Sequence, residues 1–261
     1  MADKEYLVDL LNLDGKRAAV IGGGGVLAGA MSTALSRAGA KVAVLDLNPD
    51  AAQAKADEIT GAGGEAIAIQ VDVARRNDLE AACRRMDEAW GGTDILINAP
   101  GLNSATPFFE ITDEEWEQLI AVDLKGVFMA CQVFGRGMVQ RGAGSIINIS
   151  SASSGPPLSK VFTYGVAKGG VNQVTQFLAR EWAEAGVRVN ALVPGFFPAE
   201  QNRKLLTQER TAKIFAHTPM GRFGEPEELL GAVLYLASDR ASGFVTGILL
   251  RVDGGFGAMT I

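Results

Sequence analysis

The stretch RAAVIGGGGVLAGAMSTALSRAGA, residues 17–40, decides how the rest of the chain is read. Arg17–Ile21 is a short apolar run of strand length, and four glycines follow it without a break. Leu27–Ala38 is an Ala-rich helical stretch closed by Gly39. Strand, glycine turn and helix make the first half of a βαβ unit. Lys41–Asp46 supplies the second strand, and Asn48-Pro49 offers a cap and a first-turn proline for the next helix.

Working outward, the alternation continues to the C-terminus. Ala66–Val71 reads as a third strand, followed by a helix from Asn77 to about Trp90. Asp94–Ala99 is a fourth strand whose apolar run is continuous, as expected when both faces are covered. Thr112-Asp113-Glu114-Glu115 has the form of a capping box opening a long helix toward Gln140. Ser145–Ile149, Val187–Val193 and Val245–Val252 complete the strands, and a second long helix carries Tyr164 through Ala185. The pattern predicts right-handed crossovers and a seven-stranded parallel sheet with helices on both faces, a doubly wound Rossmann-type α/β domain. Residues 1–261 are read as one such domain, with no linker or repeat. The interval from Pro194 to Pro226 is polar, carries Pro198 and Pro219 and has weak periodicity. Residues 196–225 therefore read as a lid over a site, or as a plain surface excursion.

Composition narrows the function. Hydrophobic residues make up 48% and charged residues 21% of 261, an ordinary globular balance. The net charge of -6 gives no basic field for a phosphate backbone, so no nucleic-acid partner is expected. Cys83 and Cys131 lack paired spacing and His217 is the single histidine, which argues against a metal site and a disulfide framework. No run reaches about eighteen unbroken apolar residues, and the first residues lack the basic start and apolar run of a secretory signal. A cytoplasmic protein without a membrane partner is expected.

The glycine turn, from Gly22 through Gly24 and Gly25 to Val26 and Leu27, sits where open α/β sheets bind ligands. Glycine lets the backbone approach a pyrophosphate, and the helix behind it offers free N–H groups and a positive dipole end. The alternative is a tight turn with no ligand. Asp46, ending the second strand, could accept both hydroxyls of an adenosine ribose and would repel a 2′-phosphate. Leu47, Asn48 and Pro49 follow it, with no adjacent cation, so NAD(H) is expected over NADP(H). Asp46 could instead help to cap the next helix. Asp72 and Val73, with Leu47, could flank the adenine.

Tyr164 and Lys168 stand four residues apart, on one face of a helix. A phenol near pKa 10 is a poor base at neutral pH, and a fixed cation one turn away stabilises its phenolate. Lys168 could also bond a nicotinamide ribose. Ser151 could hold a substrate oxygen; Ser153 and Ser154 compete for that role, and a simple strand-end serine is the plainer reading.

Taken together, these motifs resemble the short-chain dehydrogenase/reductase family along essentially the whole chain. The matching pieces are Gly15-Lys16, the Gly22 turn, Asp46, Asp72, Asn98-Ala99-Pro100-Gly101, Asn148-Ile149-Ser150-Ser151, Tyr164 with Lys168, Arg188-Val189-Asn190, Pro194-Gly195 and Val252-Asp253-Gly254-Gly255. The resemblance implies that Ser151 orients the substrate oxygen, Tyr164 passes the proton and Lys168 lowers the tyrosine pKa. It further implies hydride transfer at nicotinamide C4, with Asn98, Ala99 and Pro100 beside the ribose and Pro194, Gly195 and Phe197 flanking the nicotinamide. A homotetramer built through the two long helices and the last strand is also implied.

Three positions depart from the family pattern. Val26 and Ala28 replace the later two glycines, and their Cβ atoms would crowd the pyrophosphate unless Gly23, Gly24 and Gly25 reshape the loop. Asp123 stands in for a catalytic Asn that holds a proton-relay water; a carboxylate accepts but cannot donate while ionised, and it would favour the ammonium form of Lys168. Ala199 replaces a Thr that touches the nicotinamide amide.

Among subfamilies the chain is most similar to D-mannonate oxidoreductases, also called fructuronate reductases, through residues 194–203 and 217–226. That likeness implies a small sugar acid or polyol as the alcohol or carbonyl substrate. Lys160 or Arg203 could pair its carboxylate, although solvated surface cations are the commoner case; Asn103 could bond a hydroxyl. His217 reads as a structural hydrogen-bonding residue. Two rivals are a 3-oxoacyl-carrier reductase, which would want a basic patch and usually NADPH, and a catalytically weakened nucleotide-binding protein, which Asp123 and Ala199 would suit.

Overall fold

The apolar runs form seven parallel strands in the order β3-β2-β1-β4-β5-β6-β7. They are β1 (Arg17–Ile21), β2 (Lys41–Asp46), β3 (Ala66–Gln70), β4 (Ile95–Asn98), β5 (Gly144–Ile149), β6 (Val187–Pro194) and β7 (Leu249–Val252). The computed structural model describes residues 4–198 and 206–259. The expected seven-stranded, doubly wound α/β domain is what forms.

The described α-helices are α1 (Lys4–Leu10), α2 (Val26–Arg37), α3 (Pro49–Gly61), α4 (Arg76–Trp90), α5 (Asp113–Ile120), α6 (Val127–Arg141), α7 (Phe162–Trp182), α8 (Gln208–Ala216), α9 (Glu227–Ala237) and α10 (Asp239–Ser242). The sheet divides the core in two. Ala19, Ile21, Ala43, Leu45, Leu96 and Ile146 face Met86 of α4, Phe134 and Met138 of α6 and Val171 of α7. Their neighbours Val20, Val42, Val44, Ile95, Ile97 and Ile147 face Met31 and Leu35 of α2, Ile59 of α3 and Val233 and Leu236 of α9. That alternation is the period-two geometry of a strand buried on both sides. Each fully buried Leu or Ile contributes roughly 1.5–3 kcal/mol relative to exposure.

Local chemistry sets the helix starts. The Asn48 side chain accepts from the N–H of Asp50 and Ala51, as its place before Pro49 predicts. Thr112 accepts from the N–H of Glu115 at 3.1 Å, but Glu115 does not reach back; its Oε2 accepts from Thr106 Oγ1 at 2.8 Å. Arg17 clamps β1 to the base of β4, donating from Nε and Nη2 to the two oxygens of Asp94 at 2.7 and 2.6 Å.

Several expected boundaries move. The last strand starts at Leu249 rather than Val245, because Gly247 turns with φ +79° and β6 meets this segment through Thr246 Oγ1. The fourth strand is confined to Ile95–Asn98, and the second long helix ends at Trp182. The expected helix from Thr112 toward Gln140 is interrupted by a π-helical turn, Ala121–Gly126, between α5 and α6. The stretch Asp113–Arg141 has the length and hydropathy of a membrane span, with half of its most apolar window buried inside the protein. Helices α1, α8 and α10 lie where the pattern predicted none.

Candidate active site

The carboxyl ends of β1, β2, β4, β5 and β6 open on one edge of the sheet, where parallel α/β folds place their ligands. Gly22 leaves β1 at φ +77°, and a Cβ there would lie 2.6 Å from the Ala99 carbonyl oxygen. Its N–H and that of Gly23 both donate to Leu45 O, at 2.8 and 3.1 Å. Gly24 N–H donates to Asp46 Oδ2 at 3.0 Å, and Asn48 N–H donates to Asp46 Oδ1 at 3.0 Å. The carboxylate is thereby fixed in place, with one further lone-pair site on each oxygen. Asn48, not Asp46, caps α3, so the capping alternative for Asp46 falls away.

Helix α2 begins at Val26 behind Gly25, which provides no side-chain cap. Its first N–H groups and dipole end are those of an anion site. The two side chains expected to crowd a pyrophosphate have other surroundings. Ala28 is turned into the core beside Val20 and Met31, and Val26 lines an outer groove with Val8, Leu11 and Leu230. A narrow glycine turn, an uncapped helix end and an acidic group beyond it fit a nicotinamide dinucleotide. On the far side, Leu47 and Asp72 share the wall of a cavity of about 490 Å³. Val73 is instead buried, its methyls filling the space that a Cβ on Gly126 would occupy.

Asn98 differs from expectation. Its side chain is fully buried and donates to Asn148 Oδ1 at 2.8 Å and to Cys131 Sγ at 3.3 Å. Asn148 in turn donates to Thr175 Oγ1 at 2.9 Å. This amide chain ties β4, β5, α6 and α7 together beneath the site, so the Asn98 side chain serves the scaffold, with its Oδ1 buried and without a hydrogen-bond partner. Burial pushes the Cys131 thiol up to about 12, leaving it inert.

The catalytic half is organised around Lys168, which is 3% exposed. Its ammonium donates to Pro100 O and Ile149 O, both at 3.2 Å, at the ends of β4 and β5. It lies 5.5 Å from the centre of the Tyr164 ring, one turn away on α7. Asp123 Oδ2 approaches it to 3.5 Å, presented by the π-helical turn. Asp123 is fully buried; Oδ1 accepts from Leu102 N–H at 2.8 Å, while Oδ2 has no hydrogen-bond partner. Burial raises the Asp123 carboxyl above the ordinary range, opposed by the attraction of Lys168 and the Leu102 N–H.

Ser151 is half-buried at the end of β5, and its hydroxyl lies 3.3 Å from that of Ser153. Ser154 is withdrawn from the competition, since it donates to Ser151 O and accepts from Asn172 Nδ2. Gly195 N–H donates to Val252 O at 2.9 Å, and a Cβ on Gly195 would meet Asp253 Cα at 2.7 Å. The Phe197 ring fills the space beside Gly224 and packs on the core, which commits it to the scaffold. Asn103 and Lys160 are exposed. Arg203 and Ala199 lie outside the described residues. His217 holds its structural role through Nδ1, 3.1 Å from Lys213 O. Sequence reasoning missed Arg210, in the first turn of α8, whose N–H donates to Thr207 Oγ1 at 3.2 Å. A threonine cap before Gln208-Glu209-Arg210 was the available signal.

The comparisons with known proteins agree with this geometry. A family model described as enoyl-(acyl carrier protein) reductase matches residues 25–257. An uncharacterised oxidoreductase, UxuB, of Bacillus subtilis is 42% identical, covering 94% of this chain and 96% of its own. Galactitol 2-dehydrogenase (L-tagatose-forming) of Cereibacter sphaeroides is 39% identical over 95% of this chain and 97% of its own. Among solved structures, a protein of Haemophilus influenza provisionally named a D-mannonate oxidoreductase, with bound NAD, aligns at TM-score 0.92 and 36% identity over 97% and 99% of the two chains. A gluconate 5-dehydrogenase of Burkholderia cenocepacia in complex with NADP and tartrate aligns at 0.93 and 34% over 97% and 100%. With the Tyr164–Lys168 pair and the glycine turn in place, the chain belongs to the short-chain dehydrogenase/reductase family of oxidoreductases.

Proposed function

We propose that this chain is an NAD(H)-dependent oxidoreductase that interconverts a secondary alcohol and a ketone of a sugar acid or polyol, of the D-mannonate/D-fructuronate type. The observation that carries the chemistry is Lys168, held buried by two strand-end carbonyls and 5.5 Å from the Tyr164 ring. A bound nicotinamide supplies or accepts the hydride. The Gly22–Leu27 turn would hold its diphosphate, with Asp46 on the adenosine ribose and the Ala99 and Pro100 backbone beside the second ribose.

The rest of the chemistry belongs to the chain. Ser151, steadied by Ser153, positions the substrate oxygen. Tyr164 Oη gives that oxygen a proton in reduction and removes it in oxidation, a general acid–base role. Lys168 supplies the positive field that makes the phenolate accessible. Relatives are found with either cofactor; Asp46 supports NAD(H), since its charge opposes a 2′-phosphate and no cation follows it. A carrier-bound acyl substrate fits less well, because a net charge of -6 repels an acidic carrier. Of the interval 196–225 read as a lid, residues 199–205 lie outside the described residues, and the rest, with α8, would cover the substrate. The exposed Phe128 on α6 and Phe177 on α7 support assembly through those helices.

The test is consumption of NADH, beside NADPH, with D-fructuronate, 5-keto-D-gluconate and L-tagatose. Turnover with NADH is expected, and Tyr164→Phe should abolish it while leaving NADH affinity within about twofold. Retained turnover in Tyr164→Phe would sink the acid–base role.

A further inference from the structure

A cavity of about 630 Å³ lies between the β5–α7 connection and α8, and its charged walls are mostly cationic. Leu158 and Lys160 of that connection line it together with Phe196 after β6 and Arg210, Lys213 and His217 in or next to α8. The same Lys160 and Leu158 line an adjoining cavity of about 480 Å³ that Ser153 also lines. Ser153 is in turn 3.3 Å from Ser151, so the neighbouring cavity, which shares Lys160 and Leu158 with the cationic one, has a wall that touches the candidate substrate-orienting serine.

The charges in this cavity sort themselves. Lys213 is paired with Glu209 at 2.6 Å, one turn apart on α8. The hydrogen bond and charge of Lys213 hold the Glu209 carboxyl below its usual range, so neither partner is left over. Lys160 and Arg210 have no ion-pair partner among the described residues. Lone surface cations are ordinary, but these two line one concavity, and Lys160 also lines the cavity that reaches Ser153. Lys160 is also the one described non-glycine residue with positive φ, at +65°. A side chain is disfavoured in that conformation and glycine is not, and such strain is retained where the surroundings fix a functional position.

We infer that Lys160 and Arg210 form a carboxylate clamp that holds the acid end of an open-chain keto acid and makes the enzyme select acids over neutral ketoses. This rests on the hydride-transfer reading above. The guanidinium offers a two-pronged donor set matched to a carboxylate, and the ammonium closes on it from across the cavity.

The experiment compares D-fructuronate and 5-keto-D-gluconate with D-fructose and L-tagatose, using NADH and the full chain. Arg210→Ala and Lys160→Gly should each raise KM for the keto acids by about tenfold or more, as loss of a charged hydrogen bond does. kcat should stay within about threefold, and kcat/KM for the neutral ketoses within about twofold. Lys160→Gly removes the cation while relieving the backbone, so a stable fold is expected for it. Equal losses on acids and ketoses, or unchanged KM for the acids, would overturn the clamp. A wild-type enzyme that reduces only neutral ketoses overturns the clamp and leaves the hydride chemistry standing. No turnover of any of the four substrates overturns both.

Discussion

Replacing Asp123 with Asn tests the electrostatics of the site. Asp123 Oδ2 lies 3.5 Å from Lys168 Nζ, which is 5.5 Å from the Tyr164 ring centre. The carboxylate is therefore no more than about 9 Å from that centre, and at this range two charges interact by about 0.5 kcal/mol in water or about 2 kcal/mol at an effective dielectric near 20. The sign follows directly: a negative charge beside Tyr164 opposes its phenolate, so removing it favours the phenolate. In alcohol oxidation the phenolate is the base. The acid limb of kcat/KM against pH should move down in Asp123→Asn, by about 0.3–1.4 pH units. An amide keeps the acceptor for Leu102 N–H, and Lys168 keeps its Pro100 and Ile149 carbonyls, so the geometry survives. The assay is NAD reduction with the alcohol substrate from pH 5 to 10. An unmoved or raised limb would refute the field argument. A second readout has its own sign. The Asp123 carboxyl is raised in the fold, so the wild type binds the extra proton and loses stability as pH rises from its unfolded value through the folded one. The melting temperature of Asp123→Asn relative to wild type should therefore increase between pH 4 and pH 7.

Two further substitutions probe the nucleotide side. Asp46→Ala should cut the ratio of kcat/KM for NADH over NADPH by about tenfold, since a charge opposing a 2′-phosphate is gone; an unchanged ratio would remove Asp46 from cofactor choice. Gly22→Ala should lower the melting temperature by more than Gly63→Ala and weaken NADH binding. Both positions have positive φ, but only at Gly22 does the new methyl meet a carbonyl, and equal losses would show that the close approach to Ala99 is unimportant.

Much of the fold was legible because both faces of the sheet are buried. Residues such as Ala18–Ile21 and Ile95–Ile97 must all be apolar, and the runs announce themselves. Tyr164 and Lys168 were legible because helical spacing alone puts them on one face. Other features had no local signal. Helix α8 sits in a polar interval with only Ile214 buried, so its period is faint. The burial of the Asn98 amide depends on Asn148, fifty residues away and aligned with it in the β4–β5 register. The outcome at Ala28 depends on helix phase, which turns that methyl into the core rather than toward the glycine turn.

The π-helical turn at Ala121–Gly126 makes this part of the chain sensitive to counting. An α-helix advances about 100° per residue, so one residue more or less here would rotate α5 against α6 by roughly that angle. Deleting any residue of this turn would restore regular winding while sending either Asp123 or the Phe134 and Met138 stripe to the wrong side. Substitution can vary the chemistry at this turn, whereas a change in length cannot leave both neighbours in phase.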